Sequence, residues 1–303
     1  MAIFCIGQAT YDITLRYTGP LVANQKYRVA ESWGWPGAPA LNAACLCAKW
    51  GAPVELVARL GDDLYGLRIR EELATCGVGT NHLITGTGAV TSYSLIAVDD
   101  EKGERTIFNV PCPVKAAAYQ VPDARPDVVL ADGHEPAATL DVLAAWPGVP
   151  SVVDAGTYRE STYEVARAVG YIVCSEDFAR QYTGTVLDDA DDACATDALL
   201  SRIEGINDGV AVVTLGERGL VYRDADGVPR RMPAFEAQAV DTTGAGDIFH
   251  GAFAHGLYEG LSLEENLRRA SMTSSISVRT MGGFPSIPEL ADVRMGLAHV
   301  CLP

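Results

Sequence analysis

Residues 239–247 read Ala239-Val240-Asp241-Thr242-Thr243-Gly244-Ala245-Gly246-Asp247, and residues 248–257 continue as Ile248-Phe249-His250-Gly251-Ala252-Phe253-Ala254-His255-Gly256-Leu257. The second stretch is an apolar helix, with Ile248, Phe249, Ala252, Phe253 and Leu257 at core spacing. The first stretch is its N-terminal turn. Gly244, Ala245 and Gly246 carry little or no side chain, so an anion can approach their backbone closely. Their N–H groups open a helix and lack intrahelical acceptors, and the helix dipole favours a phosphate there. Asp247 falls in the first turn, at the rim of that anion site. A phosphate would repel it, unless it takes a proton from a hydroxyl that attacks phosphorus. Spacing alone leaves a second reading open: a helix-start aspartate after a tight glycine turn.

Outward from this turn, short apolar runs recur at 3–6, 54–58, 128–130, 152–153, 171–174 and 210–215. Several are continuous rather than alternating, as in strands covered on both faces of a parallel sheet. Helical patterns lie between them, at 39–50, 63–75, 136–146, 161–169, 189–203, 246–259, 263–279 and 289–299. Strand and helix in alternation define an α/β chain. Two regions differ, alternating apolar with polar residues, and they predict antiparallel strands of a small β flap at roughly 11–33 and 89–112. Within the second, Ser92 to Val98 and Glu104 to Asn109 read as a hairpin. The acids Asp188, Asp189, Asp191, Asp192 and Asp197 read as a solvated helix start.

The chain has 303 residues and a formal charge of −16, which argues against nucleic acid or an anionic membrane as partner. Its four lysines, Lys26, Lys49, Lys102 and Lys115, never follow glycine, so the lysine phosphate loop is excluded. The dinucleotide glycine fingerprint is also missing. Eight cysteines form no Cys-x-x-Cys pair and do not cluster with the five histidines. They predict buried thiols in a reducing cytoplasm rather than a zinc site. His250 and His255, on the apolar helix, read as satisfied core or helix-surface residues.

Asp-Thr-Thr-Gly-Ala-Gly-Asp at 241–247 resembles the C-terminal signature of the ribokinase (pfkB) family of carbohydrate kinases, and further family marks follow in order over nearly the whole chain. Gly7 and Asp12 resemble the end of the first strand. Gly37-Ala38-Pro39-Ala40-Leu41-Asn42 resembles Gly-Gly-x-x-x-Asn, with Ala38 replacing the second glycine. Gly61-Asp62-Asp63-Leu64-Tyr65-Gly66 resembles Gly-Asp-Asp-x-x-Gly. Thr214-Leu215-Gly216-Glu217-Arg218-Gly219 resembles the strand and turn beside the nucleotide. Gly282-Gly283-Phe284-Pro285-Ser286 resembles the segment that closes a monovalent-cation loop.

The resemblance implies one ribokinase-like domain over 1–303: a doubly wound, mostly parallel sheet flanked by helices, with a small β-sheet lid. It implies ATP-dependent phosphorylation of a sugar hydroxyl. Asp247 becomes the base, and the amides of Gly244, Ala245 and Gly246 stabilise the transferring phosphoryl group. Asp12, Gly37 and Asn42 become sugar-binding, since carboxylate and amide together accept and donate to hydroxyls. Ser175, Thr214, Gly216, Gly219 and Thr243 become nucleotide-binding. Asp241, Gly282 and Ser286 become the potassium site, and a homodimer forms lid to lid.

One departure concerns magnesium. The family's Asn-x-x-Glu falls on Ser175 and Phe178, which removes the usual acid and leaves Glu176 or Asp177 to act through water. Ketohexokinase-like and sulfofructose-kinase-like members look similar here. For the substrate, Arg105, Asn109 and His134 line the expected sugar site. Arg105 reads equally as an oxyanion partner and as a solvated strand charge. No arginine adjoins His134 in sequence, so a neutral sugar or polyol is expected over a sulfonate. The competing readings are a nucleoside kinase of the same fold and a non-catalytic nucleotide- or metabolite-binding regulator.

Overall fold

The computed structural model describes residues 2–29, 31–85, 88–99, 101, 105–111, 119, 121–187 and 193–299. In chain order, β1 (Ile3–Ile6), β2 (Thr10–Tyr17) and β3 (Ser32–Gly37) lead into α1 (Pro39–Lys49). Strands β4 (Val54–Val57) and β5 (Arg59–Leu60) lead into α2 (Leu64–Cys76). Then come β6 (Ile84–Thr85), β7 (Tyr93–Asp99), β8 (Arg105–Val110), β9 (Val128–Ala131) and α3 (Pro136–Ala145). After β10 (Ser151–Ala155) and α4 (Glu160–Ala166) follow β11 (Tyr171–Ser175), α5 (Glu176–Thr183) and α6 (Ala193–Glu204). Strands β12 (Val210–Thr214), β13 (Leu220–Arg223) and β14 (Pro229–Met232) precede α7 (Ala245–Glu259), α8 (Leu263–Ser277) and α9 (Leu290–His299).

Eight strands form the main sheet in the order β14-β13-β12-β11-β10-β9-β1-β4. It is parallel from β4 to β12, and β13 and β14 add antiparallel at one edge. Burial explains the continuous apolar runs, because alternate residues of one strand enter different cores. Cys5, Leu56, Leu130, Val152, Val173 and Val212 pack with α1, α7 and α8. Ala131, Val153, Ile172, Cys174 and Val213 pack on the opposite face with α4, α5 and α6. Near the other edge, Phe4, Ile6 and Val129 meet Ala138 and Val142 of α3. This is the expected ribokinase-like α/β architecture.

The lid is a separate four-stranded sheet in the order β3-β2-β7-β8. The expected β7–β8 hairpin forms, pairing Ser94 with Asn109 and Val98 with Arg105; its tip at 102–104 lies outside the described residues. Two expectations about the lid need correction. Strand β2 pairs with β7 in parallel, not antiparallel, because the long connection through α1 and α2 brings β7 back in the same direction. Residues 18–29 form no strand, and the second lid strand runs instead to Gly37, at the start of α1. Of the acidic run, 188–192 lies outside the described residues, and Asp197 pairs with Arg223 at 2.6 Å.

Phe253 of α7 is fully buried and meets the Tyr171 ring edge-on, with centroids 5.6 Å apart. Phe253→Ala is expected to destabilise the chain by about 3–5 kcal/mol, read as a lower denaturation midpoint at unchanged slope.

Candidate active site

The carboxyl ends of the parallel strands converge on the start of α7, where open α/β sheets bind ligands. A buried carboxylate builds this corner. Asp132, just after β9, is 1% exposed, and its Oδ2 accepts the Gln8 N–H at 2.8 Å and the Ala40 N–H at 3.3 Å. Its Oδ1 takes the His134 N–H at 2.9 Å and lies 3.0 Å from His134 Nδ1. Burial pushes this carboxyl up, but the His134 ring and the amide donors outweigh it and hold it below the usual range. A side chain at Gly7 would begin 2.0 Å from the Asp132 carboxylate, so only glycine leaves room for it.

A cavity of 660 Å³ lies between the lid and α7. It is lined from the lid by Thr10, Asp12, Ser94 and Asn109, and from below by Asn42 and Asp247. Asp12 Oδ1 accepts the Thr10 hydroxyl at 3.0 Å, and burial raises the Asp12 carboxyl against the hydrogen bonds from Ser94 and Thr10. A Cβ on Gly37 would stand 2.2 Å from Asp12 Oδ2. Gly37 therefore makes space for the carboxylate it faces. Ala38, where the family pattern has glycine, sits at φ 87 and ψ 155 at the N-cap of α1, a backbone that glycine adopts freely and alanine only under strain.

Asn42, 2% exposed, donates from Nδ2 to Asp247 Oδ2 at 2.7 Å, while its Oδ1 is buried with no partner among the described residues. Asp247 is pushed up to about 7: burial is the main cause, and the Asp154 charge adds to it. Asn42 and His250 act in the other direction. Behind this turn, buried His250 lies between the Gly246 carbonyl at 2.7 Å, Asp154 Oδ2 at 3.1 Å and the Val173 carbonyl at 3.0 Å. It is a satisfied core residue, as expected, and it fixes the turn that carries Asp247.

A second cavity of 1070 Å³ lies on the other side of the same turn. Thr214, Gly216 and Gly219 line it, with Ala245, Gly246, Phe249 and Val278. Thr242 borders both cavities. Gly244, at φ 76, caps α7, and a Cβ there would meet Gly283 Cα at 2.7 Å. Of the three amides expected to face an anion, Ala245 N–H is turned to the Thr242 carbonyl at 3.3 Å, closing the turn. The amides of Gly246 and Asp247 have no carbonyl four residues back within the helix.

The residues expected to form a cation loop also meet. Asp241 Oδ1 accepts the Thr243 N–H and hydroxyl at 2.9 and 2.7 Å, and Oδ2 accepts the Gly282 N–H at 2.8 Å. Ser286 donates to the Gly283 carbonyl at 2.8 Å.

Other expected residues lie elsewhere. Thr243 borders the lid cavity rather than the second one. Ser175 lines neither cavity; it caps α5, accepting the Phe178 N–H at 3.1 Å and donating to the Gly156 carbonyl at 2.6 Å. Glu176 is committed to an ion pair with Arg218. Among the described residues, no cluster of three or more metal-ligating side chains forms. His134 sits beside Asp132 rather than on the cavity wall. The arginine missing from its sequence neighbourhood arrives through space, since Arg159 Nη1 lies 2.6 Å from His134 Nε2. The side chain of Arg105 lies outside the described residues. Asp132, Asp154, Trp33 and Trp35 carried no sequence signal, because strand register and long-range packing alone bring them to the site.

The start of α7 thus lies between a hydroxyl-lined cavity and a larger groove. The profile of the pfkB family carbohydrate kinases matches residues 2–290, and the chain belongs to that family. It is similar to the ribokinase of Haemophilus influenzae, 27% identical over 291 residues, which cover 93% of this chain and 92% of that one. Arabidopsis thaliana ribokinase, solved with ribose and ATP, superposes with a TM-score of 0.85 at 24% identity, over 99% of both chains. A Burkholderia thailandensis nucleoside kinase solved with inosine gives 0.75 at 20% identity, over 98% of this chain and 97% of that one. The protein is therefore a kinase that phosphorylates with ATP. No described helix is long and apolar enough to cross a membrane.

Gly37→Ala tests the carboxylate space directly, because its backbone lies outside the left-handed region. The methyl must displace Asp12, so the KM for the acceptor is expected to rise about tenfold with the thermal midpoint nearly unchanged.

Proposed function

We propose that the chain, acting as one kinase domain with a lid, transfers the γ-phosphoryl group of ATP to a hydroxyl of a sugar or sugar-like small molecule. Asp247 is the general base. The observation that carries this reading is its position: a carboxylate pushed up to about 7 on the acceptor side of a turn whose other side, at Ala245 and Gly246, borders the nucleotide groove. The acceptor hydroxyl lies against Asp247, with Asp12 and Asn42 holding its neighbours. A buried amide oxygen without a donor costs about 1–3 kcal/mol, and a substrate hydroxyl reaching Asn42 Oδ1 relieves it. The hydroxyl gives its proton to Asp247 as oxygen bonds to phosphorus and the bond to ADP breaks. The Gly246 and Asp247 amides and the α7 dipole hold the charge on the phosphoryl oxygens.

Because Glu176 is committed to Arg218, we assign magnesium to the nucleotide itself, entering as MgATP and keeping water ligands. Potassium suits the oxygen-rich junction of Asp241 with the Gly282–Ser286 segment; when bound it adds positive charge beside the anion turn. Free thiols buried at Cys5, Cys45, Cys47 and Cys174 favour a reducing cytoplasm. Phe108, 54% exposed, and Val110, 39% exposed, lie on edge strand β8, an apolar margin suited to pairing with a second lid. Light scattering is expected to give a dimer, and Phe108→Asp a monomer; a wild-type monomer at micromolar concentration overturns the lid dimer.

Asp247→Asn is expected to lower kcat by about 10²–10⁴-fold while ATP binding persists, measured by ADP release and calorimetry. The base must be deprotonated, so kcat/KM is expected to fall as pH drops through about 7. Asn42→Ala removes a donor that favours the carboxylate, so this limb moves to higher pH. Undiminished turnover in Asp247→Asn would sink the base assignment.

A further inference from the structure

The lid register sorts the acceptor cavity into rows. Residues directly opposite each other on neighbouring strands share a face. The pairs Asp12–Trp35, Asp12–Ser94 and Ser94–Asn109 make one row across all four strands. The pairs Thr14–Trp33, Thr14–Ile96 and Ile96–Ile107 make the next, two residues further along β2. All eight side chains line the 660 Å³ cavity. The first row holds the polar groups beside Asp247. The second is apolar and aromatic except for Thr14, and lies about 6.7 Å further out, two residues along a strand.

Gly34 shows that this arrangement is built. A side chain there would begin 2.7 Å from the Tyr11 ring on the opposite face. The Trp33-Gly34-Trp35 triplet thus turns both indoles to the cavity and leaves the other side for Tyr11. Trp35 also reaches toward the cation loop, its Cδ1 3.9 Å from where a Gly282 side chain would start. Ile107, 54% exposed, presents apolar surface to the cavity.

A free monosaccharide carries hydroxyls around its whole ring. Those facing Ile96, Ile107 and Trp33 would meet no polar partner in that row apart from Thr14, with Arg16 one row further out. A polyol joined to a planar, weakly polar ring matches both rows. Resting on the kinase reading above, we propose that the acceptor is a nucleoside. Its sugar is held by Asp12 and Asn42 with one hydroxyl at Asp247, and its base lies along the second row against Trp33, Ile96 and Ile107. Trp33 is the specificity-determining residue.

The test is ADP release with MgATP and potassium over adenosine, inosine, guanosine, cytidine and uridine, against ribose, fructose and glucose. The expected result is a higher kcat/KM for at least one nucleoside than for every free sugar. Trp33→Ala is expected to raise that nucleoside's KM about tenfold, the scale of one base stacked on an aromatic ring, with the smaller effect on kcat. Trp33→Phe restores most of the affinity and shows that the variant folds. A free sugar that matches or exceeds every nucleoside overturns the proposal while leaving the kinase reading intact, as does an unchanged nucleoside KM in Trp33→Ala. Should no acceptor release ADP, the kinase reading fails instead. Calorimetric binding of inosine or adenosine that is lost in Trp33→Ala then still supports the nucleoside site, and no binding overturns that too.

Discussion

In the proposed mechanism, one turn of backbone has to keep a carboxylate basic while it faces a polyanion. The start of α7 is where these demands meet. Its dipole and free amides draw negative charge, which favours both the Asp247 carboxylate and a phosphate. Burial and the nearby Asp154 work against the carboxylate, and the balance leaves it at about 7. A fully solvated aspartate would be too weak a base, and a fully desolvated one would stay protonated. Asn42 and His250 hold it between these limits. His250 lies on α7 itself, whereas Asn42 comes from α1 and Asp154 from β10, so α1 and β10 must both dock correctly on α7 to set that balance.

The lid faces a constraint of a different kind, the parity of its strands. A slip of one residue would turn Asp12, Ser94 and Asn109 away from the cavity, together with both tryptophans. The opposite face prevents that slip. Tyr11 stacks on Tyr65 with centroids 5.0 Å apart and accepts a hydrogen bond from Arg68 at 3.0 Å, and Arg68 also lies over the Tyr11 ring. Tyr65 and Arg68 belong to α2, so the lid is keyed to the main body by the face that never meets a ligand.

What could be read from the chain follows from how local each signal is. Continuous apolar strands, proline-started helices at Pro39 and Pro136, and the glycine turn at 244–246 all advertise themselves within a few residues. The corner built on Asp132 does not. Arg159 reaches His134 from 25 residues away and Asp132 binds the Gln8 amide from 124 residues away, so neither contact leaves a local pattern. Strands β13 and β14 are hard to read for a different reason. Buried β13 is a run of only four residues, Leu220–Arg223, and the edge strand Pro229-Arg230-Arg231-Met232 resembles a polar loop until it pairs with β13. Ser175 illustrates the limit of motif alignment: its hydroxyl is spent on capping α5 and on Gly156, and its neighbour Glu176 on Arg218.

The charge of −16 shapes how a nucleotide can be held. Arginines rather than lysines supply most of the positive charge, and many are bound into structural pairs. Arg59 pairs with Glu135, Arg223 with Asp197 and Glu204, Arg230 with Asp224, and Arg269 with Glu259. A guanidinium in such a pair contributes little field to a phosphate a few residues away, because its partner cancels it beyond short range. The oriented amides of α7 have no such partner, and their potential is fixed by the backbone and needs no lysine. In the proposed mechanism the cation that enters with ATP supplies the rest. On the proposed reading the anion meets the helix end directly, and the small side chains at 244–246 leave room for that approach.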